Sequence, residues 1–515
     1  MKRIFQFLLS LTVVVSASAA PKNILLIIAD DYGVDSNSLY NSTNNGASLP
    51  PTPNIVSIAQ SGVLFRNAYA NPVCSPTRAC LLTGRYSFRT GVGDVVAGAG
   101  SATLPASEFT LPEAFVANPT LGYNLAQFGK WHLANGINTP STIGGWTNFA
   151  GSLIGAIASY TNWTKTVNGV SSTTTNYATT DIVNDAATWI QARGTNPWLA
   201  WVAFNAPHTP LHLPPTNLCP HYATLSGTQS DINANPRKYF EAMTEAMDTE
   251  MGRLLTAVNR ANTHIIFLGD NGTQGVVQPP FPANRGKDTL YEGGIHVPFI
   301  ISGPTVTNPG RTNDTPVGAV DVFSTILEMA GINVATTVPT NVTIDSQSLM
   351  PIMTNNATLS RYAYSELFGT NVISTTAGRA LRNGQFKLIQ FSNGQKAFYD
   401  LANDAYEGTN LLSGALNATQ QSNYYSLTLK LAGYQLTLAQ PIITSFARSN
   451  FQFALTVQRA TNFSYSLWRA PILDDLAWVP LTNAVVVTNS TTVVTLTDTS
   501  ATAGQNFYRV LADSP

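Results

Sequence analysis

The sequence predicts an α/β fold for most of the chain, followed by smaller antiparallel sheets. Four short apolar runs rich in Val, Ile, Leu and Phe are typical of strands buried on both faces, as in parallel sheets. The stretch from Tyr239 to Val258 has the period of an amphipathic helix, and such helices alternating with buried strands indicate the α/β class. After about residue 365, apolar and polar residues alternate around Asn-Gly turns, which predicts antiparallel hairpins.

The N-terminal segment, residues 1–20, has the pattern of a secretory signal peptide. Lys2 and Arg3 precede an apolar run that ends in small residues around Ala19. The run is shorter than the roughly 20 apolar residues of a membrane-spanning helix. We therefore expect an exported chain, secreted or periplasmic, with no membrane span after cleavage.

Composition narrows the possible classes of function. The 515 residues are 44% hydrophobic, enough for a sizeable core, and only 11% charged, with a net charge of −1. Nucleic-acid binders usually carry a basic patch, so this balance argues against a nucleic-acid partner. The cysteines, Cys74, Cys80 and Cys219, are odd in number, so at least one is unpaired. A bridge between Cys80 and Cys219 stays open.

The four apolar runs are NILLIIADDYG, WLAWVAFNAPH, THIIFLGDNG and GGIHVPFIISG. The first ends at Asp30 and Asp31, the second near His208, and the third at Asp270 and Asn271. Ligands of open α/β sheets bind outside the carboxyl ends of the strands. One Asp or Asn beside Gly is usually a turn, but acidic pairs after two buried strands favour a site.

The stretch NPVCSPTRACLLTGR predicts a short helix with unusual chemistry at its start. Pro76 suits the first helical position, Gly84 suits the residue after the end, and Ser75 would be the N-cap. A Cys74 thiolate beside the positive end of the helix would be an activated nucleophile. Arg78 in the first turn indicates either an anionic substrate or an Asp partner.

The segment CSPTRACLLTGR resembles the signature of type I sulfatases, Cys-x-Pro-x-Arg followed by an apolar helix and Thr-Gly-Arg. The resemblance continues in family order through GYNLAQFGKWHL, NAPHTPLHLPP, FLGDNG, KDTLYEGGIHVP and FYDLANDAYEGTNLL, over about residues 21–435. It implies an alkaline-phosphatase-like mixed sheet sandwiched by helices at 21–365 and an antiparallel-sheet subdomain at 366–435. From the strand pattern we expect a separate all-β module at 441–515.

The resemblance also implies a site. A maturation enzyme would convert Cys74 to formylglycine, whose hydrate attacks sulfur and then expels sulfate. The implied metal is Ca²⁺, with Mg²⁺ as the alternative, because the ligands are hard oxygen donors. The metal ligands would be Asp30, Asp31, the modified Cys74, Asp270 and Asn271. Arg78 and Lys130 would hold the formylglycine, His132 would take a proton from it, and His208 and Lys287 would contact the sulfate.

The sequence thus predicts an exported sulfuric ester hydrolase acting on sulfate monoesters of a sulfated glycan, with aryl sulfates as surrogate substrates. Two alternatives stay open: a phosphonate monoester hydrolase or phosphodiesterase of the same superfamily, and a non-catalytic glycan-binding protein on a sulfatase scaffold. Other residues are expected outside the catalytic set: Cys80 as a core thiol, His212 and His221 as structural or substrate-fringe residues, His296 as a packing residue, and His264 as a surface residue. Trp468 and Trp478 of the β module are expected in its core, with sugar binding by aromatic residues as the alternative.

Overall fold

The computed structural model describes most of the chain. The described residues are 22–41, 49–98, 101–134, 140–276, 280–369, 376–434, 443–449, 452–458, 464–471, 478–488, 493–501 and 506–513. The predicted signal peptide lies outside them. In the described part, no helix has the length and apolar character needed to cross a bilayer.

In the described part of the chain, strands make up three sheet systems and a separate parallel pair, β3 with β12. In chain order they are β1 (Asn23–Ala29), β2 (Gly62–Phe65), β3 (Ala68–Tyr69), β4 (Asn124–Gly129), β5 (Asn148–Gly151), β6 (Trp163–Val167), β7 (Val170–Thr174), β8 (Trp198–Ala203), β9 (Thr263–Gly269), β10 (Phe299–Ser302), β11 (Arg311–Asn313), β12 (Val317–Gly318), β13 (Ala363–Leu367), β14 (Gly378–Arg382), β15 (Phe386–Phe391), β16 (Lys396–Asp400), β17 (Ile443–Ser449), β18 (Gln452–Gln458), β19 (Ser464–Ala470), β20 (Val479–Pro480), β21 (Val485–Thr488), β22 (Val493–Asp498) and β23 (Phe507–Asp513).

Helices lie mainly between the strands of the first system. They are α1 (Pro53–Gln60), α2 (Cys74–Thr83), α3 (Ser87–Thr90), α4 (Leu111–Val116), α5 (Pro140–Ile143), α6 (Ala178–Gln191), α7 (Gln229–Ala234), α8 (Pro236–Thr256), α9 (Glu292–Ile295), α10 (Val322–Met329), α11 (Val334–Thr337), α12 (Met350–Asn355) and α13 (Ala418–Tyr434). The predicted helix from Tyr239 to Val258 is confirmed as the larger part of α8.

The main sheet has the strand order β11-β2-β10-β9-β1-β8-β4-β5-β6-β7. Strand β1 is central and pairs in parallel with both β8 and β9. Helices α2, α4 and α10 pack on one face, and α1, α6 and α8 pack on the other. Alternate residues of β1 enter these two cores: Ile24, Leu26 and Ile28 on one side, and Leu25, Ile27 and Ala29 on the other. The prediction of a mixed sheet covered by helices, with strands buried on both faces, is confirmed.

Two strands differ from the prediction. The fourth apolar run forms β10, which is buried but antiparallel to both β2 and β9. Its direction depends on the path of the chain between strands, which the apolar pattern does not report. The apolar pattern did not single out β4, because Asn124 and Gln127 interrupt its apolar run; the strand pairs in parallel with β8.

The second system is the antiparallel sheet β13-β14-β15-β16, against which α13 packs. It begins at Ala363, slightly before the predicted boundary at residue 366. The third system comprises the sheets β17-β18-β22-β21 and β20-β19-β23, both antiparallel. The predicted all-β character of the C-terminal region is confirmed.

His264 was expected at the surface, and this prediction is wrong. It lies in β9 at 1% exposure, paired with Ile24 of the central strand. Burial lowers the pKa of His264 to about 4, so the ring is neutral inside the sheet. A single imidazole in an otherwise apolar run gives no local signal of which neighbours will cover it.

Candidate active site

Four neighbouring parallel strands, β9, β1, β8 and β4, end at the same edge of the main sheet. The segments after them carry the predicted site residues: Asp30 and Asp31 after β1, Lys130 and His132 after β4, His208 after β8, and Asp270 and Asn271 after β9. Helix α2 supplies Cys74 and Arg78, and the loop before α9 supplies Lys287. The structure therefore brings together every residue that the sequence predicted for the site.

Cys74 is the first residue of α2 and is fully buried. Its Sγ lies 3.3 Å from Lys130 Nζ. Burial raises the pKa of the Cys74 thiol to about 12, an effect larger than the opposing attraction to Lys130. Burial therefore favours the protonated thiol in the unmodified residue and does not favour an activated thiolate.

Ser75 is not the helix cap. Val73 is the N-cap of α2, with extended backbone angles, and Ser75 lies inside the first turn. The Ser75 hydroxyl donates to the His132 carbonyl oxygen at 2.8 Å and accepts from the Val96 N–H at 3.1 Å. The serine therefore ties the start of the helix to two distant segments of the site. At the other end, Gly84 adopts φ 68°, as predicted for the residue after a helix.

Arg78 is fully buried near the positive end of α2, and its partner explains this position. Its Nε and Nη2 donate to Asp270 Oδ2 at 3.1 and 2.7 Å. Its Nη1 donates to the Lys130 carbonyl oxygen at 2.9 Å. The sequence indicated either an anionic substrate or an aspartate partner for Arg78, and the structure shows the aspartate partner, Asp270.

Two lysines pair with the aspartates that follow β1. Lys130 Nζ lies 2.6 Å from Asp30 Oδ2, and Lys287 Nζ lies 2.7 Å from Asp31 Oδ1. Burial by itself would raise the pKa of Asp30, but attraction to Lys130 and other cations lowers it overall. Burial would lower the pKa of Lys287, but Asp31 holds it above its ordinary value. The shifts of Asp30 and Lys287 both favour the charged form, and each of these two charges has an oppositely charged partner in contact with it.

Three buried side-chain oxygen atoms of the site, from two aspartates and one asparagine, have no hydrogen-bond partner among the described residues. They are Asp30 Oδ1, Asp31 Oδ2 and Asn271 Oδ1. The amide nitrogen of Asn271 is engaged, because it donates to Asp31 Oδ1 at 2.7 Å. Buried polar atoms are normally paired, and hard oxygen donors are the ligands that Ca²⁺ and Mg²⁺ take. These residues therefore fit a divalent cation.

A second, overlapping group of potential metal-ligand side chains also lies close together. Among the described His, Cys, Asp and Glu residues, Asp30, Asp31, Cys74 and His208 have potential ligand atoms within 4.8 Å of one another. His208 appears there in place of Asp270. Asp270 Oδ1 accepts the Asp31 N–H at 3.1 Å, and its other oxygen accepts from Arg78. The predicted ligand set and this group have three residues in common: Cys74 and the two aspartates that follow β1, Asp30 and Asp31.

His132 is a neutral imidazole with a free nitrogen. It is 4% exposed, and its Nδ1 has no hydrogen-bond partner among the described residues. Burial, together with the nearby charges of Lys130 and Arg78, lowers the pKa of His132 well below its ordinary value. The ring is therefore neutral at neutral pH, and its Nδ1 is unpartnered among the described residues.

His208 is held by contacts that the sequence did not reveal. Its Nδ1 lies 2.7 Å from the Thr209 carbonyl oxygen, and its Nε2 lies 3.7 Å from Asp31 Oδ2. The Tyr160 hydroxyl is within hydrogen-bonding distance of the carbonyl oxygens of Asn205 (2.6 Å) and His208 (2.8 Å). Tyr160 comes from a region between residues 135 and 180 that carries no recognisable motif, so only the fold identifies it.

Backbone hydrogen bonds fix the loop that carries Lys287. The Lys287 N–H donates to the Thr273 carbonyl oxygen at 3.1 Å, next to the segment after β9. The Asp288 N–H donates to the Pro72 carbonyl oxygen at 3.0 Å, just before Cys74. The loop is therefore connected to both of the segments that it faces.

A cavity of about 430 Å³ opens onto Cys74, His132, His208 and Lys287. A larger cavity of about 1180 Å³ lies elsewhere, beside Tyr86, Arg361 and Tyr434, and contains none of the predicted site residues. We place the candidate active site in the smaller cavity, because the predicted ionisable groups converge there.

The other cysteines and histidines have structural surroundings. All three cysteines are free and buried, so Cys80 and Cys219 do not form a bridge. The ring of His212 lies 4.3 Å from that of Tyr160, and His221 bonds to Glu245 at 2.5 Å. His296 contacts Glu292 at 3.1 Å. His212 and His296 therefore have structural contacts, whereas the His221 side chain is 67% exposed and is held at the surface by Glu245.

Family models match two parts of the chain. The model described as Sulfatase matches residues 22–332. The model described as N-sulphoglucosamine sulphohydrolase, C-terminal, matches residues 285–432.

Curated relatives are similar over most of the same region. Arylsulfatase J of Mus musculus is 28% identical in an alignment of 342 positions that covers 61% of this chain and 53% of that protein. A sulfatase of Formosa agariphila is 28% identical, over 79% of this chain and 87% of that protein. The human N-acetylgalactosamine-6-sulfatase is 28% identical, over 67% of this chain and 68% of that protein. The chain thus spans about half the length of the first relative and more of the other two.

Solved structures share the fold. The crystal structure of Ps i-CgsB in complex with k-i-k-neocarrahexaose superposes with a TM-score of 0.67 at 23% identity, covering 81% of this chain and 93% of that one.

Proposed function

The chain belongs to the sulfatase family, and on that premise we propose that it is an exported hydrolase of sulfate monoesters carried by a sulfated glycan. The proposal includes a formylglycine made from Cys74 by a maturation enzyme and a bound Ca²⁺, with Mg²⁺ as the alternative. The observation that carries it is the convergence of Cys74, three unpartnered buried oxygens and three buried cationic side chains at one sheet edge.

Asp30, Asp31, Asp270 and Asn271 would hold the metal, together with the side chain at position 74. A bound divalent cation would supply positive charge that polarises sulfate oxygens and makes a nearby hydroxyl more acidic. A hydrated formylglycine would supply a hydroxyl nucleophile and a second hydroxyl through which sulfate is released. Arg78 and Lys130 orient this position, because Arg78 bonds to the Lys130 carbonyl oxygen and Lys130 Nζ reaches the position-74 side chain.

Proton transfer falls to the side chains that line the cavity. His132 is neutral and has an unpartnered nitrogen, so it is the base that accepts a proton from the hydroxyl at position 74. Lys287 or His208 is the acid that gives a proton to the departing alcohol oxygen, because both line the cavity on the side of Asp31. Neutral alcohol is a far better leaving group than alkoxide.

Charge in the site favours an anionic ester. The carboxylates of Asp30, Asp31 and Asp270 are balanced by Arg78, Lys130 and Lys287. A divalent cation added to this balanced set makes the site positive, so a sulfate monoester is attracted and its developing negative charge is stabilised.

The substrate class follows from the relatives by analogy. One relative is an N-acetylgalactosamine-6-sulfatase, and the low charge of this chain suits an exported enzyme of polysaccharide breakdown. The signal-peptide pattern of residues 1–20 supports export, to the periplasm or the medium. Aryl sulfates would serve as surrogate substrates.

The test compares matched aryl sulfate and aryl phosphonate monoesters with protein matured alongside the formylglycine-forming enzyme. We expect sulfate release, loss of it in Cys74→Ala, and a mass change at Cys74 on peptide mapping. Faster phosphonate turnover would favour the phosphonate hydrolase alternative. A matured protein that binds sulfated glycans and releases no sulfate would favour the non-catalytic alternative.

A further inference from the structure

Two chemically different groups of residues line the cavity at Cys74. One group is ionisable and consists of Cys74, His132, His208 and Lys287. The other, which we call the apolar side, consists of Ala134 and the segments 95–98 and 154–156, and it contributes only Val, Ala, Ile and Gly. A substrate whose ester is bound by the ionisable group lies close to the apolar side, because Gly155 adjoins the His132 ring.

The apolar side reaches the histidine that faces the reaction. Ile154 is 52% exposed in the free protein, which is unfavourable for a large aliphatic side chain. Gly155 allows close approach, because a Cβ there would overlap the His132 ring. A sugar ring that carries an ester bound beside His132 would therefore cover Ile154 with its apolar C–H face.

The surroundings of the cavity offer no cation for a second anion. Among the described lining residues, the cationic side chain is Lys287, besides the two histidines, and it is paired with Asp31. The exposed carboxylates of Asp94 and Asp288 are adjacent in sequence to the lining residues Val95 and Lys287. A further negative group on the same sugar, away from the scissile ester, would find no unpaired lysine or arginine among the described lining residues and would lie near these two carboxylates.

Between residues 22 and 442, the segments outside the structural description carry no charged side chains. These segments are 42–48, 99–100, 135–139, 277–279, 370–375 and 435–442. None of them contains a Lys, Arg, His, Asp or Glu. All the charges of the catalytic part and of the antiparallel sheet therefore belong to described residues.

Resting on the proposed sulfatase function, we propose that this site selects a sugar whose only charge is the scissile sulfate. The ring packs its apolar face on Ile154 and Ala156, and its sulfate faces Cys74 and Lys287. A uronic acid, or a sugar with a second sulfate on the same ring, is excluded by an uncompensated negative charge.

The experiment measures kcat/KM for sulfate release by the matured, calcium-loaded enzyme. The substrates are methyl glycosides of neutral hexoses with one sulfate at each ring position, and matched counterparts with a second sulfate or a C6 carboxylate. We expect the best singly charged substrate to be favoured by about tenfold or more, because like charges a few ångströms apart repel appreciably even near water.

Two variants test the stated cause. Ile154→Lys places an ammonium in the apolar wall, and it should raise the ratio of kcat/KM for doubly over singly charged substrates by about tenfold. Ile154→Met, which adds no charge, should leave that ratio where it is. In the unaltered protein the Val95 N–H donates to Asp94 Oδ1 at 2.7 Å, and Asp94→Asn keeps a side-chain oxygen for this bond. Asp94→Asn should raise the ratio of kcat/KM for doubly over singly charged substrates by less than Ile154→Lys does. Thermal unfolding checks that each variant is folded.

The outcomes separate the two proposals. Equal or faster hydrolysis of doubly charged substrates by the unaltered enzyme, or an unchanged ratio in folded Ile154→Lys, would overturn the selection of a singly charged sugar and leave the sulfatase proposal standing. No sulfate release from any substrate, aryl sulfates included, would overturn the proposed function itself.

Discussion

At the scale of single residues, the site is organised by buried charges that are each held by a partner. Asp270 illustrates this, because its Oδ1 accepts the Asp31 N–H and its Oδ2 accepts two bonds from Arg78. Asn271 is different: its amide nitrogen is engaged by Asp31 and the Gly272 carbonyl oxygen, while its Oδ1 is buried without a partner. An oxygen oriented in this way suits metal binding, and its removal leaves the surrounding ion pairs intact.

We therefore expect Asn271→Ala to weaken calcium binding at least about 10- to 100-fold, a range reached even when residues outside the ligand shell are altered. Calcium titration of the thermal unfolding temperature measures this, because a ligand that binds only the native state raises it. Asn403→Ala, which alters an exposed residue, is the control and should leave the titration unchanged. An unaltered calcium midpoint in Asn271→Ala would remove Asn271 from the ligand set.

At the scale of elements, a buried ion network links the antiparallel sheet to the segments of the site. Lys387 of β15 lies 2.9 Å from Glu292, the first residue of α9, and 2.8 Å from Glu407. The next residues of α9 are bound to the site, since the Gly272 N–H donates to the Gly294 carbonyl oxygen at 2.8 Å. The second sheet therefore supports, through α9, the loop that follows β9.

Lys387→Met should lower the free energy of unfolding by about 3–5 kcal/mol, because it removes the buried cation that Glu292 and Glu407 share. Chemical denaturation measures the change. Lys396→Met, in the neighbouring strand β16 and only partly buried, is the matched control and should change stability by about 0.5 kcal/mol or less. A similar small effect in Lys387→Met would mean that the network does not support the fold.

At the scale of the whole molecule, α13 joins the antiparallel sheet to the C-terminal β region. Leu427 and Leu431 pack with the antiparallel sheet. Leu429 packs with Trp468 and Trp478, which are 5% and 4% exposed. The tryptophans are therefore core residues, as the sequence analysis expected, and the apolar contacts to α13 attach the C-terminal region to the rest of the chain. The proposed division at residues 435–441 stays a prediction.

Trp468→Ala should destabilise the C-terminal region by about 3–5 kcal/mol, the usual cost of removing a buried aromatic side chain. Hydrolysis of a small aryl sulfate should be unaffected, because none of the proposed site residues lies in that region. Limited proteolysis and initial rates measure the two effects. Phe446→Ala, which alters a 72% exposed aromatic residue of the same region, is the control. A loss of activity that parallels the loss of Trp468 would show that the region supports the active site.

The sequence by itself determined the α/β class, the buried central strands and the polar residues at their ends. These features are local: two-faced apolar runs such as that of β1 report burial, and a motif reports residue types in order. The ordered resemblance over residues 21–435 also predicted the site residues, which the fold brings to one sheet edge, because family motifs record chemistry that spacing alone does not reveal.

Only the tertiary structure decided the features that depend on distant neighbours. The antiparallel direction of β10, the burial of His264 and the neutral thiol of Cys74 all depend on segments far away in the chain. Arg78 meets Asp270 across 192 residues of sequence. Burial, charge pairing and pKa are set by what surrounds a group in space, and a one-dimensional pattern does not contain those distances.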